Sequence, residues 1–406
     1  MTDKETLDFI RANEGGDVRR MAFQAARYPG VDMPYALDQI AGRQAARRKL
    51  PSWAAVDDIV YPPHLSMEQC SGEAAARYKA GVAARMGAKG RLVDLTGGFG
   101  VDFAFMAPYF ASATYVERQE HLCDIARHNF ALLGLEGVEV VCADGTDYLE
   151  SMERADMIYI DPARRDSAGG RTFAIADCTP DVLSLRDTLL DKAGTVMIKL
   201  SPMLDWRKAV ADMGGCVREV HIVSVGGECK ELLLVARPGK GLTVHCVNDG
   251  VDFDFDAEAE IGGAGRTAAW QLPGGNSLEQ LVGWHLYEPN ASVMKAGCFG
   301  LIEQRCGVKA VGADSHLFLR PEAVDDFPGR GFVVERATTL NKRSLKEALR
   351  GIEKANIAVR NFPMSVDALR RRLKIGEGGG VYIFATTLVD RTHVLLICSK
   401  ISKNQL

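Results

Sequence analysis

"RLVDLTGGFGVDFAFMA", residues 91–107, decides how this chain is read. A short apolar run closes on Asp94, and Gly97, Gly98 and Gly100 follow before the helix-like "VDFAFMA". A glycine turn between strand and helix lets the backbone approach a ligand where a Cβ would clash, and the helix start adds positive potential. Outward from that turn, apolar strand-like runs recur at "ATYVE", "VEVVCAD", "DMIYID" and "TVMIKLSP", separated by helix-length segments. This alternation predicts an α/β fold with a parallel, doubly wound sheet. Two further runs, "VREVHIVSV" and "ELLLVARP", have only "GGECK" between them, which predicts a closing hairpin.

Acidic residues stand at the ends of four successive strands. Asp94 closes the first, and Glu117 closes the second at the place where dinucleotide folds grip ribose hydroxyls. Asp144 closes the third, within reach of an adenine amino group, and Asp161 opens "DPARRD" after the fourth. Each alone could be a helix N-cap, but four in register face the crevice where open α/β sheets bind ligands. The order G-x-G-x-x-G is not met, which argues against a nicotinamide dehydrogenase. Asp94 would repel a pyrophosphate and attract an ammonium, so the expected ligand is S-adenosylmethionine.

A chain of 406 residues predicts two or three domains, and 47% hydrophobic with 25% charged residues predicts a soluble globular protein. The charged start "MTDKETLDFIRANEGG" indicates neither a signal peptide nor a membrane anchor. Ten cysteines without a C-x-x-C pair predict reduced thiols in the cytoplasm and no metal site. The expected organisation is a helical segment over 1–63, the main α/β domain over 64–239, a small linking α+β subdomain over 240–330 and a basic module over 331–406. Residues 330–406 hold 15 Lys+Arg against 6 Asp+Glu, so this tail carries +9 and the rest −13. That points either to a polyanionic partner or to a solvated helix face. "YALDQIAGRQAARRKL" reads as a helix stopped by Pro51, "LSMEQCSGEAAARYKAGVAARMG" as one helix and "NSLEQLVGWHLYEP" as helical. The tail reads strand, helix, strand, helix and hairpin, with Ser365 capping the second helix and Gly376 stopping it.

"DLTGGFGVD", "YVERQEHLCDIARHNFALLG", "ADGTDYL" and "DPARRD" resemble the successive motifs of class I S-adenosylmethionine-dependent methyltransferases. Within that class the chain, from about Tyr35 onward, resembles the bacterial group with a C-terminal THUMP-like domain. The stretches that carry this likeness are "QIAGRQAARRKLPSW", "EQCSGEAAARYKA" and "VRNFPMSVDALRRRLKIGEGGGVYIFATT". The resemblance implies a Rossmann-like, doubly wound seven-stranded methyltransferase sheet with a helical N-terminal segment and a smaller α+β C-terminal domain. It implies S-adenosyl-L-methionine as cofactor, with Asp94, Gly97, Gly98 and Gly100 around the methionine part, Glu117 at the ribose and Asp144 at the adenine. Gln69, Cys70 and Ser71 are further candidate contacts. The THUMP-like part implies RNA, either tRNA or rRNA.

In methyltransferases acting on amino groups, the motif after the fourth strand carries two prolines and an aromatic. Asp161 and Pro162 fit, whereas Ala163 replaces the second proline and Arg164 stands in place of the aromatic. "DPARR" also resembles the motif of uracil-C5 enzymes, but Ser201 occupies the place of their cysteine, and serine at its ordinary pKa is too weak a nucleophile for a covalent adduct. The expectation is direct in-line transfer to a nitrogen, with Asp161, Pro162 and Arg164 as the catalytic set. Arg164, Arg165 and Lys199 could neutralise a nucleic-acid phosphate or a developing charge, or pair with Asp166 and Asp161, and Phe173 could supply the missing stacking surface. Arg370, Arg371 and Arg372 are expected along RNA phosphates, with no membrane and no metal. Two other readings stay open: a small-molecule or protein substrate, and a non-catalytic S-adenosylmethionine-binding protein.

Overall fold

The structure is a computed structural model that describes residues 3–86, 90–164, 175–258, 278–312 and 314–401. The chain divides into two compact units, residues 1–225 with 230–240, and residues 226–229 with 241–406.

The first unit opens with helices α1 (Lys4–Ala12), α2 (Val18–Ala22), α3 (Met33–Lys49), α4 (Pro51–Ala54), α5 (His64–Gln69) and α6 (Glu73–Arg85). Asp3, Asp17 and Asp32 cap the first three by accepting from backbone N–H groups one turn in. Pro51 follows the end of α3 and also starts α4, where its missing N–H costs nothing. The stretch read as one helix from Leu65 is two. The backbone is extended at Cys70 and Gly72, and Ser71 between them is buried. Ser66 therefore lies inside α5, whose N-cap is Pro63.

Then come β1 (Arg91–Asp94), α7 (Val101–Met106), β2 (Ser112–Glu117), α8 (Glu120–Leu132), β3 (Val138–Cys142), α9 (Gly145–Ser151) and β4 (Ala155–Ile160). A two-strand ribbon, β5 (Ala163–Arg164) with β6 (Cys178–Thr179), precedes α10 (Val182–Lys192), β7 (Ala193–Leu200), α11 (Trp206–Asp212), β8 (Val217–Val225) and β9 (Glu228–Ala236). The strand order is β3-β2-β1-β4-β7-β9-β8. The first five of these strands are mutually parallel, and β9 runs antiparallel to β7. Strands covered on both faces are apolar along their length, which is why Ala155–Ile160 and Ala193–Leu200 were legible as runs. The N-terminal helices share the core of this sheet: Leu50, Trp53, Ala76 and Ala80 pack with Leu92, Phe103 and Met157. Trp53 meets Phe99 of the glycine turn edge-on at 5.0 Å.

In the second unit, β10 (Thr243–Asn248) and β11 (Val251–Asp256) form the antiparallel hairpin expected from their alternation. It turns at Asp249 and Gly250, both with positive φ. A seven-stranded sheet follows, in the order β13-β14-β12-β15-β18-β17-β16. Its strands are β12 (His285–Pro289), β13 (Lys309–Ala310), β14 (Phe318–Arg320), β15 (Gly329–Thr339), β16 (Lys354–Arg360), β17 (Gly376–Thr387) and β18 (His393–Lys400). One sheet thus spans residue 330. The segment read as helical before Pro289 makes one turn, Leu278–Leu281, and then becomes β12, because Gly283 breaks the helix at positive φ and Leu286 is buried in the sheet core. Ser365 caps helix Val366–Leu373 by accepting from Ala368 N at 3.2 Å. That helix stops at Lys374 in the left-handed region, and Gly376 opens β17 instead. Among the described residues no helix is long and apolar enough to cross a membrane.

Gly145 starts α9 at a point where an added Cβ would stand 2.1 Å from the carbonyl oxygen of Leu95. Alanine has the better helix propensity, yet this overlap with rigid backbone should outweigh it. Gly145→Ala is expected to cost about 1–3 kcal/mol. Calorimetry should show the first unit melting several degrees lower, and an unchanged transition would mean that α9 can slide away from the turn.

Candidate functional site

The glycine turn is stitched to the strands on either side of β1. Leu95 N donates to Tyr159 O at 3.0 Å and Gly97 N to Val116 O at 2.9 Å. A Cβ on Gly97 would lie 2.2 Å from the Tyr115 ring, whose hydroxyl donates to Gly98 O at 2.5 Å. Gly98 and Gly100 take φ of +57° and +80°, a region open to glycine at little cost. The buried Glu117 at the end of β2 reaches this turn: its Oε2 accepts from Gly98 N at 2.9 Å and its Oε1 from Gln119 N at 2.8 Å.

Asp94 is buried under the same turn, and its Oδ1 accepts from Thr96 N at 2.9 Å. Burial, reinforced by the charges of Asp102 and Asp161, pushes its pKa up to about 8 against the opposing Thr96 bonds. The proton affinity of Asp94 is thus raised into the neutral range. Among the described residues no cation stands within ion-pair distance of it. Thr96 also ties in the fourth strand, because Asp161 N donates to its Oγ1 at 2.7 Å. Asp161 Oδ2 accepts from Lys199 Nζ on β7 at 2.5 Å, so Lys199 pairs within the protein. Pro162 is buried beside it. Arg165, Phe173, Asp166 and the side chain of Arg164 lie outside the described residues.

Asp144 is exposed and caps α9, accepting from Thr146 N at 2.8 Å. Gln69 is exposed at the end of α5, and Cys70 is partly buried with its thiol on Met67 O at 3.2 Å. Ser71 points inward, donating to Asp102 Oδ2 at 2.9 Å.

Ser71 belongs to a buried charge cluster that the sequence did not announce. Lys79 of α6 has no exposed surface, and its Nζ lies 2.5 and 2.6 Å from the two carboxylate oxygens of Glu231 on β9. It is 3.0 Å from Ser71 Oγ and 3.2 Å from Asp102 Oδ1 on α7. Tyr159 donates to Asp102 Oδ2 at 2.7 Å, and Lys199 Nζ lies 3.7 Å from the same oxygen. Burial works to raise the Asp102 pKa, but Lys79 and Lys199, with bonds from Tyr159 and Ser71, hold it below the ordinary value. For Lys199 burial works downward, and the carboxylates of Asp161, Asp102 and Glu231 more than reverse it. The chain Glu231–Lys79–Asp102–Lys199–Asp161 thus links the N-terminal helices to the end of the fourth strand. Its sequence signal was charge at apolar positions: Lys79 among alanines, Glu231 heading "ELLLVA" and Asp102 within "VDFAFM".

In the second unit Arg370 donates to Ala355 O and Gly376 O, tying its helix to β16 and β17. Arg371 donates to Asp367 O and Arg372 to Leu340 O, and both remain exposed. Arg370 is therefore occupied with the fold, a role that its position in a basic run did not reveal.

A sheet of this order, with acids at the strand ends around a glycine turn, defines the class I methyltransferase architecture. A candidate methyltransferase from Porphyromonas gingivalis W83 is similar to this chain over 99% of its length and 100% of that protein, at 31% identity and a TM-score of 0.81. Residues 329–400 match the THUMP domain-like family model, and residues 285–328 match a ferredoxin-like domain. The chain belongs to the bacterial S-adenosylmethionine-dependent methyltransferases that carry a THUMP-like domain. Smaller likenesses extend to an rRNA methylase from Streptococcus thermophilus (16% identity, 40% of this chain and 96% of that one, TM-score 0.30). Another is to a 16S rRNA N2 G1207 methyltransferase from T. Thermophilus (14% identity, 44% and 46%, TM-score 0.34). No curated protein matches the chain.

Removing Lys79 alone should strand Glu231 and Asp102 as buried carboxylates. Lys79→Met is expected to cost about 3–5 kcal/mol, while Lys79→Met with Glu231→Met should recover most of it. Thermal unfolding of the four members of this cycle checks the claim; strictly additive losses would mean that the pair is not coupled.

Proposed function

We propose that the chain transfers the methyl group of S-adenosylmethionine to a nitrogen of RNA by direct in-line displacement. The observation that carries the reading is Asp94: a buried carboxyl with raised proton affinity and no cation, joined through Thr96 to the Asp161 motif. A cofactor ammonium would supply the missing charge, and the side-chain-free surface of Gly98 beside Glu117 suits a ribose hydroxyl pair. When bound, the cofactor supplies an electrophilic methyl on a sulfonium. The protein's part is alignment and exclusion of water. In this reading Asp94 takes the ammonium, Glu117 the ribose, and Asp144 offers its carboxylate to the adenine from the α9 cap. Asp161 accepts from the acceptor nitrogen while Lys199 holds its other oxygen. Ser201 after β7 is no nucleophile for a covalent adduct. The THUMP-like match at 329–400 and the +9 charge of residues 330–406 support RNA as the partner, since phosphate rewards such charge through counterion release. Arg371 and Arg372 are the arginines of that helix offered to phosphate.

For Asp94 to pair with an ammonium it must lose its proton, so cofactor binding below pH 8 should release one. The sign is fixed: affinity falls as pH drops from 8 to 6, by about tenfold per unit. Calorimetry in buffers of different ionisation enthalpy reads the released proton directly. Binding without proton release near pH 6.5 would remove Asp94 from the ammonium site.

Asp161→Ala should keep cofactor affinity and lose transfer. The assay is radiolabelled methyl incorporation into total RNA from cells lacking the protein. If affinity falls in step with activity, Asp161 belongs to the cofactor site.

A further inference from the structure

Asp161 and Lys199 meet at the mouth of the proposed acceptor site. Among the described residues Asp161 engages only its Oδ2, with Lys199 Nζ at 2.5 Å, and Oδ1 has no partner. The Lys199 side chain is 12% exposed and that of Asp161 35%, so the pair is reached from outside. Behind it, Asp102 Oδ2 lies 3.7 Å from Nζ, and the carboxylates around Lys199 keep it charged, which bars it from acting as a base.

This arrangement discriminates between two kinds of nitrogen. An exocyclic amine becomes cationic as it takes a methyl, and it is helped by nearby negative charge. The Asp161 charge is cancelled by Lys199, so the pair gives a developing ammonium little. An acidic ring N–H beside a carbonyl needs the opposite: a carboxylate for the proton and a cation for the oxygen on which charge collects. Asp161 and Lys199 offer both, side by side.

We propose that Asp161 and Lys199 together read an N–H flanked by a carbonyl, the lactam or imide edge of guanine or uracil in RNA, and that this ring nitrogen receives the methyl. The inference rests on the RNA methyltransferase reading above. The N–H proton passes to Asp161, and the nitrogen electron pair forms the bond to the methyl carbon. The sulfonium carbon–sulfur bond breaks with its pair left on sulfur. Lys199 holds the negative charge on the oxygen meanwhile, the base is released neutral, and Asp161 returns its proton to water.

The experiment uses the full chain with methyl-labelled S-adenosylmethionine and total RNA from cells lacking the protein, digested to nucleosides. Label in N1-methylguanosine or N3-methyluridine is expected. Label on an exocyclic amine overturns the inference and leaves the reading above standing, whereas label on a ribose hydroxyl or a carbon overturns both the inference and the nitrogen acceptor, with RNA still the substrate. No label in RNA, from protein that binds the cofactor, removes the RNA reading and this inference with it. Lys199→Met should lower kcat about 100-fold and move the pH–rate profile upward, since the substrate N–H then ionises unaided. Cofactor affinity should stay within about twofold, and Lys199→Arg should restore part of the rate and the profile. A loss of rate without a shifted profile, or a loss of cofactor affinity to match, would make Lys199 a structural counter-ion only.

Discussion

A lysine with no exposed surface holds this enzyme's first unit together. Lys79 leaves water for two carboxylates, Glu231 and Asp102, and a serine hydroxyl. Burying a charge is tolerable only when its partners are close and well hydrogen-bonded. That requirement fixes α6 against β9 and α7, sets the break between α5 and α6 that turns Ser71 inward, and holds Asp102 within reach of Lys199. The apolar packing of Trp53 on Phe99 brings the same helices to the glycine turn. The N-terminal segment thus packs directly on the glycine turn.

Charge around the turn is arranged by environment as much as by composition. Asp94 and Asp102 are both buried aspartates of one loop–helix segment, yet one is pushed up to about 8 and the other held below the ordinary value. The difference is company: Asp94 has only Thr96 and neighbouring acids, whereas Asp102 has two lysines, a tyrosine and a serine. A site that receives a cation needs an acid that no lysine has already paired. Separation of like groups by their neighbours is how a single pocket assigns them different roles.

The fold was legible because its parallel strands are apolar runs that close on acids, and the turn beside them is marked by glycine. Asp94, Glu117 and Asp161 were singled out in this way, and Glu117 accepts from Gly98 N of the turn. What failed was local reading where tertiary context decides. Cys70–Gly72 looked helical but break the helix to bury Ser71, and the segment before Pro289 looked helical but enters a sheet. The cluster around Lys79 left only charges at apolar positions as its trace, because its members lie up to 152 residues apart in sequence. Arg370 looked like its two neighbours, since a run of arginines does not say which one is half-buried and bonded to two strands.

The same separation bears on how the chain is made. When Lys79 is added to the growing chain, Glu231, the partner that touches it with both oxygens, is still 152 residues from synthesis, which at roughly 5–20 residues per second is on the order of ten seconds or more. Until then α6 cannot settle into the sheet without burying a half-compensated ammonium. That helix must wait, its lysine wet, until the last strands of the sheet arrive.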